Sequence, residues 1–216
     1  GGPQGVYAIG HATELVDAMK AMGELSPGEA LIRLLEKDDG GAILRFGIES
    51  DLVAIMKHDT TSIACDCGSV ADRAVHPRYY GSFPRVLGRY VREQKIMSFE
   101  EAIRKMTGLP AATIGMTDRG LIRKGLAADI VVFDPATILD HATFEAPNER
   151  SLGVRHVLVN GQFALRDGVL TEPHAGLALR RSPIDPGKGS THSSPGQDRY
   201  TLGRSLPGKA VRLELR

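Results

Sequence analysis

Asp66 stands at the end of a β-rich run, Thr61-Ser62-Ile63-Ala64-Cys65-Asp66, which passes straight into Cys67 and Gly68. A carboxylate where a strand gives way to its loop is placed either to cap that loop or to take up and release a proton. Further along, His76-Pro77-Arg78-Tyr79-Tyr80 collects groups that could meet a ligand. A guanidinium grips a carboxylate through two parallel N–H···O bonds, so Arg78 reads as an anchor for an anionic group or as half of a surface ion pair. His76, beside a proline, either shapes the loop or contacts a ligand. Tyr79 and Tyr80 either pack the loop down or reach into a site, and Arg85 reads as a structural partner. Cys65 and Cys67 flank Asp66. Two thiols without a second ligand cluster are a weak metal signal and read better as buried small residues. In a strand they would share one face and Asp66 would point to the other.

The elements that must position these groups are legible to different degrees. Ser26-Pro27-Gly28-Glu29 has the capping-box pattern with Pro at the first helical position, and Ala30, Leu31, Leu34 and Leu35 follow at helical spacing. Ala42–Phe46 reads as a short strand and 49–57 as a helix with Leu52, Val53 and Met56 on one face. Followed by 61–66 as a second strand, this rhythm predicts a parallel α/β sheet or barrel. Residues 11–22 are loosely helical in pattern. Residues 69–97 read as a long irregular connection, and its four aromatics argue that it is ordered. Ser98-Phe99-Glu100-Glu101 opens another capped helix, which Leu109-Pro110 breaks, leaving a shorter turn or helix over 111–116. The period then changes. Residues 128–135 read as a strand, and 154–169 as a hairpin turning at Asn160-Gly161. From Ser182 the chain is rich in Gly, Pro and Ser with a basic excess, and reads as a flexible extension.

Composition excludes several classes. A net charge of +1 gives no reason to expect nucleic acid or an anionic membrane as partner. No apolar run approaches the roughly 18–20 residues that span a bilayer. Gly1 to Gly5 shows no signal-peptide pattern, and a chain of 216 residues that does not begin with Met is expected to be a fragment or processed product. The two cysteines are too close together to staple a fold, which favours a reducing, cytoplasmic setting.

The run Cys65-Asp66-Cys67-Gly68, and then His76 through Arg85 to Glu93, resembles the D-aminoacylase (N-acyl-D-amino-acid deacylase) branch of the amidohydrolase superfamily. Further matches are Glu101-Ala102-Ile103-Arg104-Lys105-Met106-Thr107, Leu109-Pro110-Ala111, Asp118-Arg119-Gly120-Leu121-Ile122, Gly125 to Asp134, and Val157-Leu158-Val159-Asn160-Gly161. The resemblance covers residues 26–181 and implies an α/β fold: the C-terminal part of a TIM barrel, its last strand and helix being 61–66 and 98–107, plus a small β-sandwich module. The implied domains are 1–119 for the barrel portion, 120–181 for the composite β-sandwich, and 182–216 for the tail.

The implied activity is hydrolysis of the amide of small-molecule N-acyl-D-amino acids by metal-activated water. Asp66 is then the proton shuttle, near the metal or a weak ligand to it, and Arg78 holds the substrate carboxylate with Tyr79 and His76 beside it. The implied cofactor is Zn2+, with an incomplete site. The family's His-x-His pair and later metal histidines precede the matched region. His11 is not part of a His-x-His, His58 follows a helix, and His141, His156 and His174 fall in the β module. The resemblance therefore implies a partner, the missing N-terminal half of the barrel, and an isolated chain that is inactive. Cys65 and Cys67 depart from the usual Ser-Asp-Gly. Two other readings stay open: a dihydroorotase- or hydantoinase-like enzyme acting on cyclic amides, and a non-catalytic remnant or interaction module.

Overall fold

Ser26 opens a helix as its sequence predicts. Its Oγ accepts from the Glu29 N–H at 3.4 Å, while the Glu29 carboxylate accepts the Ser26 N–H at 3.1 Å. This satisfies two donors that a helix start leaves without partners. The structure is a computed structural model and describes residues 2–8, 11–37, 41–45, 47–68, 76–171 and 175–179. Phe46, His174 and the whole 182–216 extension lie outside the described residues. The chain divides into two units that interleave along the sequence.

The first unit draws on 1–58, 65–82 and 140–151. Its sheet is antiparallel, with β1 (Val6–Ala8) between β2 (Thr13–Glu14) and β3 (Ala42–Leu44). Helices α1 (Leu15–Ala21) and α2 (Pro27–Leu35) follow. Ala8, Leu15, Ala18, Ala30 and Leu34 form its core, with Val6, Met19, Met22 and Leu25 packed around them. Helix α3 (Glu49–Lys57) has the predicted bounds, but its expected apolar face does not close. Met56 is buried and Val53 half-buried, whereas Leu52 stays exposed.

The second unit draws on 59–64, 83–139 and residues from 152 onward. Here the sequence expectation fails at a central point, because 61–66 forms no strand. A strand needs a neighbour to take its backbone hydrogen bonds, and among the described residues it has none. Residues 59–64 are instead held by α5 (Phe99–Met106). The Ile63 N–H donates to the Lys105 carbonyl at 2.9 Å, and the fully buried Lys105 donates through Nζ to the Thr61 carbonyl at 3.2 Å. All described strand pairings are antiparallel, so the parallel pairing of β3 with 61–66 is not formed.

The long irregular connection is also corrected. It contains α4 (Arg78–Arg85), continued by a π-helical segment over Val86–Glu93. Gly81 and Gly88 lie within these helical segments, where they serve close approach. A Cβ on Gly88 would stand 2.5 Å from the Ile138 carbonyl oxygen and 2.9 Å from Leu139 Cδ1. Gly88→Ala is therefore expected to cost about 1–3 kcal/mol through overpacking, measured as a lower urea midpoint. An unchanged midpoint would mean that this approach has room to spare.

Helix α6 (Gly108–Ile114) starts earlier than predicted and takes Pro110 within its first turn, where a missing N–H costs nothing. Strands β4 (Ile130–Phe133), β5 (Val154–Val159), β6 (Gln162–Arg166) and β7 (Val169–Leu170) form an antiparallel sheet in that order. Asn160-Gly161 turns β5 into β6 with φ of 48° and 80°, and Asp167-Gly168 repeats the device with 51° and 79°. Both pairs have the positive φ values that a type I′ turn requires.

Candidate functional site

Arg78 is the first residue of α4, and its guanidinium turns back to the segment carrying Asp66. Nη2 donates to Asp66 Oδ2 at 2.8 Å and Nε donates to the Asp66 backbone carbonyl at 2.7 Å. The fork thus grips the residue by carboxylate and backbone together. The Asp66 side chain is 93% exposed and that of Arg78 40%. Exposed pairs of this kind contribute little to stability and exchange readily for another partner.

His76 holds the start of α4 from the other side. Its Nδ1 accepts the Arg78 N–H at 3.0 Å, and its ring meets Phe144 edge-on at 5.7 Å. Burial pushes the His76 imidazole below its ordinary value, and the Arg78 charge pushes it further down. A neutral ring is what an Nδ1 acceptor requires. Phe144 also meets Tyr7 at 6.0 Å and lies under the Arg45 guanidinium at 5.4 Å. The Tyr79 ring lies over Gly68, where an added Cβ would meet Cε1 at 3.5 Å. Ser151 Oγ donates to the Tyr80 carbonyl at 2.6 Å. The structure thus brings Asp66, His76, Arg78 and Tyr79 into one constellation. Phe144 is a member that sequence reasoning missed, since nothing local announces a contact so distant along the chain.

Cys65 and Cys67 need correcting. Cys67 is exposed and Cys65 only partly covered, so neither is a buried small residue. Their sulfurs turn to the same side, each 3.3 Å from the Arg78 carbonyl oxygen, with Cα atoms 5.2 Å apart. In the absence of a strand, the expected separation of faces does not arise.

His11, His156 and His141 meet partners away from this constellation. His11 Nε2 bonds to the Leu34 carbonyl at 3.0 Å, and His156 Nδ1 accepts the Asp167 N–H at 3.1 Å. His141 lies 3.9 Å from Glu149. Among the described residues no three His, Cys, Asp or Glu side chains come together to hold a metal. A catalytic zinc takes three protein ligands. Asp66, exposed and held by Arg78, does not make such a site by itself, and the described residues do not fit the ion.

The Asp118-Arg119-Gly120 and Ala128-Asp129 motifs serve packing instead. Arg119 is paired with both Asp118 and Asp129, and the other Asp129 oxygen accepts the Asn160 N–H at 2.7 Å at the hairpin turn. No helix among the described residues is long and apolar enough to cross a membrane.

The sequence profile of the amidohydrolase family matches residues 10–164, and the chain belongs to that family. Within it, the chain is similar to the D-aminoacylase of Alcaligenes xylosoxydans xylosoxydans, 42% identical over 159 residues, which is 74% of this chain and 30% of that protein. A solved D-aminoacylase structure, from work on its binuclear metal centre, superposes with a TM-score of 0.71 at 38% identity over 79% of this chain and 36% of the other. The N-acyl-D-glutamate deacylase of Bordetella bronchiseptica, solved with zinc and a phosphonate inhibitor, superposes at 0.67 with 37% identity, over 74% of this chain and 34% of the other. The mixed helices and sheets thus belong to the amidohydrolase-superfamily fold. The chain spans about a third of the length of these relatives.

Proposed function

We propose that this chain carries the proton-transfer and carboxylate-anchoring segment of an enzyme that hydrolyses the amide of N-acyl-D-amino acids. The observation that carries the reading is the Asp66–Arg78 pair, built from a segment end and a helix start that the D-aminoacylase-like motif joins. Asp66 takes a proton from the attacking water and gives it to the leaving nitrogen, a role open to a carboxylate with solvent access. Arg78 exchanges Asp66 for the substrate α-carboxylate, which its fork holds bidentately. His76 fixes the helix start that aims Arg78, and Tyr79 closes over Gly68 beside it. Zinc belongs to the reading only through residues other than those present here.

On the same reading 1–119 is the C-terminal portion of a TIM barrel, 120–181 contributes to a β-sandwich, and 182–216 is a tail. Segment 61–66 becomes the last barrel strand only when neighbouring strands complete its ladder. The expected partner is accordingly an N-terminal part of the barrel. A cyclic-amide hydrolase is the weaker alternative, because such enzymes are not expected to carry the His76–Arg85 loop. A non-catalytic module is the other alternative, supported by Cys65 and Cys67 in place of the usual Ser-Asp-Gly and by the lack of a metal cluster among the described residues.

The test is an assay of the 216 residues alone and together with the N-terminal part of a related D-aminoacylase. The chain alone is expected to release no D-amino acid from N-acetyl-D-amino acids and to retain no zinc after dialysis. Turnover by the chain alone would overturn the division of labour, and a complemented, metal-loaded complex without turnover would favour the non-catalytic module.

A further inference from the structure

We infer that Lys105 is a positioning residue for the proposed reaction: from α5 it fixes the register of segment 59–63 and, through the chain, the side to which Asp66 is presented. Its consequence for catalysis rests on the role proposed above for Asp66. Three observations lead there.

The first is the burial of a charge. Lys105 is fully buried, and a buried ammonium is unfavourable unless it is paired and hydrogen-bonded. Its Nζ lies 3.6 Å from Glu101 Oε1, one helical turn earlier, and donates to the Thr61 carbonyl at 3.2 Å. Glu101 does not need Lys105 to balance its charge. Arg104 already grips that carboxylate through Nε and Nη2, both at 2.8 Å. An apolar side chain of the same length would fill the place without burying a charge. What the ammonium adds is a donor aimed at the backbone of Thr61.

The second is the spacing of the contacts along the segment. Arg104 Nη2 donates to the Asp59 carbonyl at 2.7 Å and Lys105 Nζ to the Thr61 carbonyl, while the Ile63 N–H donates to the Lys105 carbonyl at 2.9 Å. Every second residue of an extended chain turns its backbone groups to the same edge. The last turn of α5 thus holds one edge of the segment at three successive points, as a neighbouring strand would.

The third is what a slip would do. Ile63 is buried, whereas its neighbour Ala64 is exposed. Moving the segment by one residue against α5 would turn every side chain to the opposite side and bring Ile63 into solvent. Asp66 follows Ile63 by three residues, so the same slip would swing its carboxylate away. A buried charged donor on the Thr61 carbonyl opposes that slip.

The test begins with the 216-residue chain. Lys105→Met keeps the length of the side chain and removes the ammonium. Amide hydrogen exchange over 61–64 is expected to quicken about 10- to 100-fold, the loss of one hydrogen bond from a charged donor. The β5–β6 hairpin should exchange at the parental rate. Lys105→Arg keeps donors for the Thr61 carbonyl and is expected to restore protection. Unchanged exchange over 61–64 in Lys105→Met would overturn the clamp, and equal quickening in the hairpin would reduce Lys105 to a general stabiliser. Should Lys105→Met fail to fold, Arg104→Gln decides. Its side chain is 31% exposed, and loss of its bond to Asp59 is expected to quicken the same segment by a smaller factor. No change there would overturn the clamp.

The effect on Asp66 is read in a preparation that turns over. Lys105→Met is expected to lower kcat on the order of a hundredfold, the effect of about 1 Å of misplacement. KM should hold, because the substrate carboxylate is anchored by Arg78 and not by 59–63. A lower unfolding midpoint with unchanged kcat would make the role structural and remove the positioning. Quickened exchange in the variant, with parent and variant both inactive, would uphold the clamp and count against the deacylase reading.

Discussion

Replacing Asp66 by Asn is expected to lower kcat for N-acyl-D-amino acids by about 10²- to 10⁴-fold, the usual contribution of a positioned acid–base group, in an enzyme assembled around this segment. Asn matches Asp in size, and its Oδ1 still accepts from Arg78 Nη2, so the loop geometry has no reason to change. It cannot take a proton from water at neutral pH. The side chain is 93% exposed, so the substitution leaves no cavity and no buried charge. Thermal unfolding and zinc content should therefore match the parent while turnover falls. Because the variant frees Arg78 from an anionic competitor, substrate binding should hold or tighten. A normal kcat would remove Asp66 from the proton path, and lost zinc would make it a ligand instead.

The elements that were legible in the sequence are those specified by short-range chemistry. Ser26 with Glu29, and Ser98 with Glu101, mark helix starts because the capping hydrogen bonds lie within one turn. Asn160-Gly161 marks its hairpin because few other pairs tolerate positive φ at both positions. What failed depends on distant partners. The run 61–66 has strand chemistry, but a strand exists only with neighbours. Gly88 is a breaker by propensity, yet its lack of a side chain is what admits the Ile138 carbonyl. Strands β1 and β2 are too short to show alternation and are fixed by pairing, with Ala8 of β1 anchored in the core.

The site divides in the same way. Asp66, His76, Arg78 and Tyr79 stood out because the motif carries them. That Arg78 reaches back to Asp66, and that Phe144 supports His76, follows from folding and could not be read from spacing. Cys65 and Cys67 were misjudged because burial was argued from residue type. Their placement in a segment that no described strand pairs with leaves Cys67 in solvent.

Arg78→Lys separates anchoring from chemistry. The guanidinium uses Nε and Nη2 toward two oxygens at once, a fork that a single ammonium cannot reproduce although its charge is the same. A hydrogen bond to a charged group contributes about 1.5–3 kcal/mol. At about 1.4 kcal/mol per factor of ten, loss of the bidentate grip should raise KM for substrates with a free α-carboxylate by about 10- to 100-fold. Because the grip acts alike on substrate and transition state, kcat should change little. Substrates whose α-carboxylate is amidated never used the fork, and their KM should be the same for parent and variant. Equal losses on both substrate types would point to a disturbed loop, detectable as a lower unfolding midpoint. If KM for the free-carboxylate substrates stays at the parental value, Arg78 is not the anchor, and its pairing with Asp66 is a surface contact.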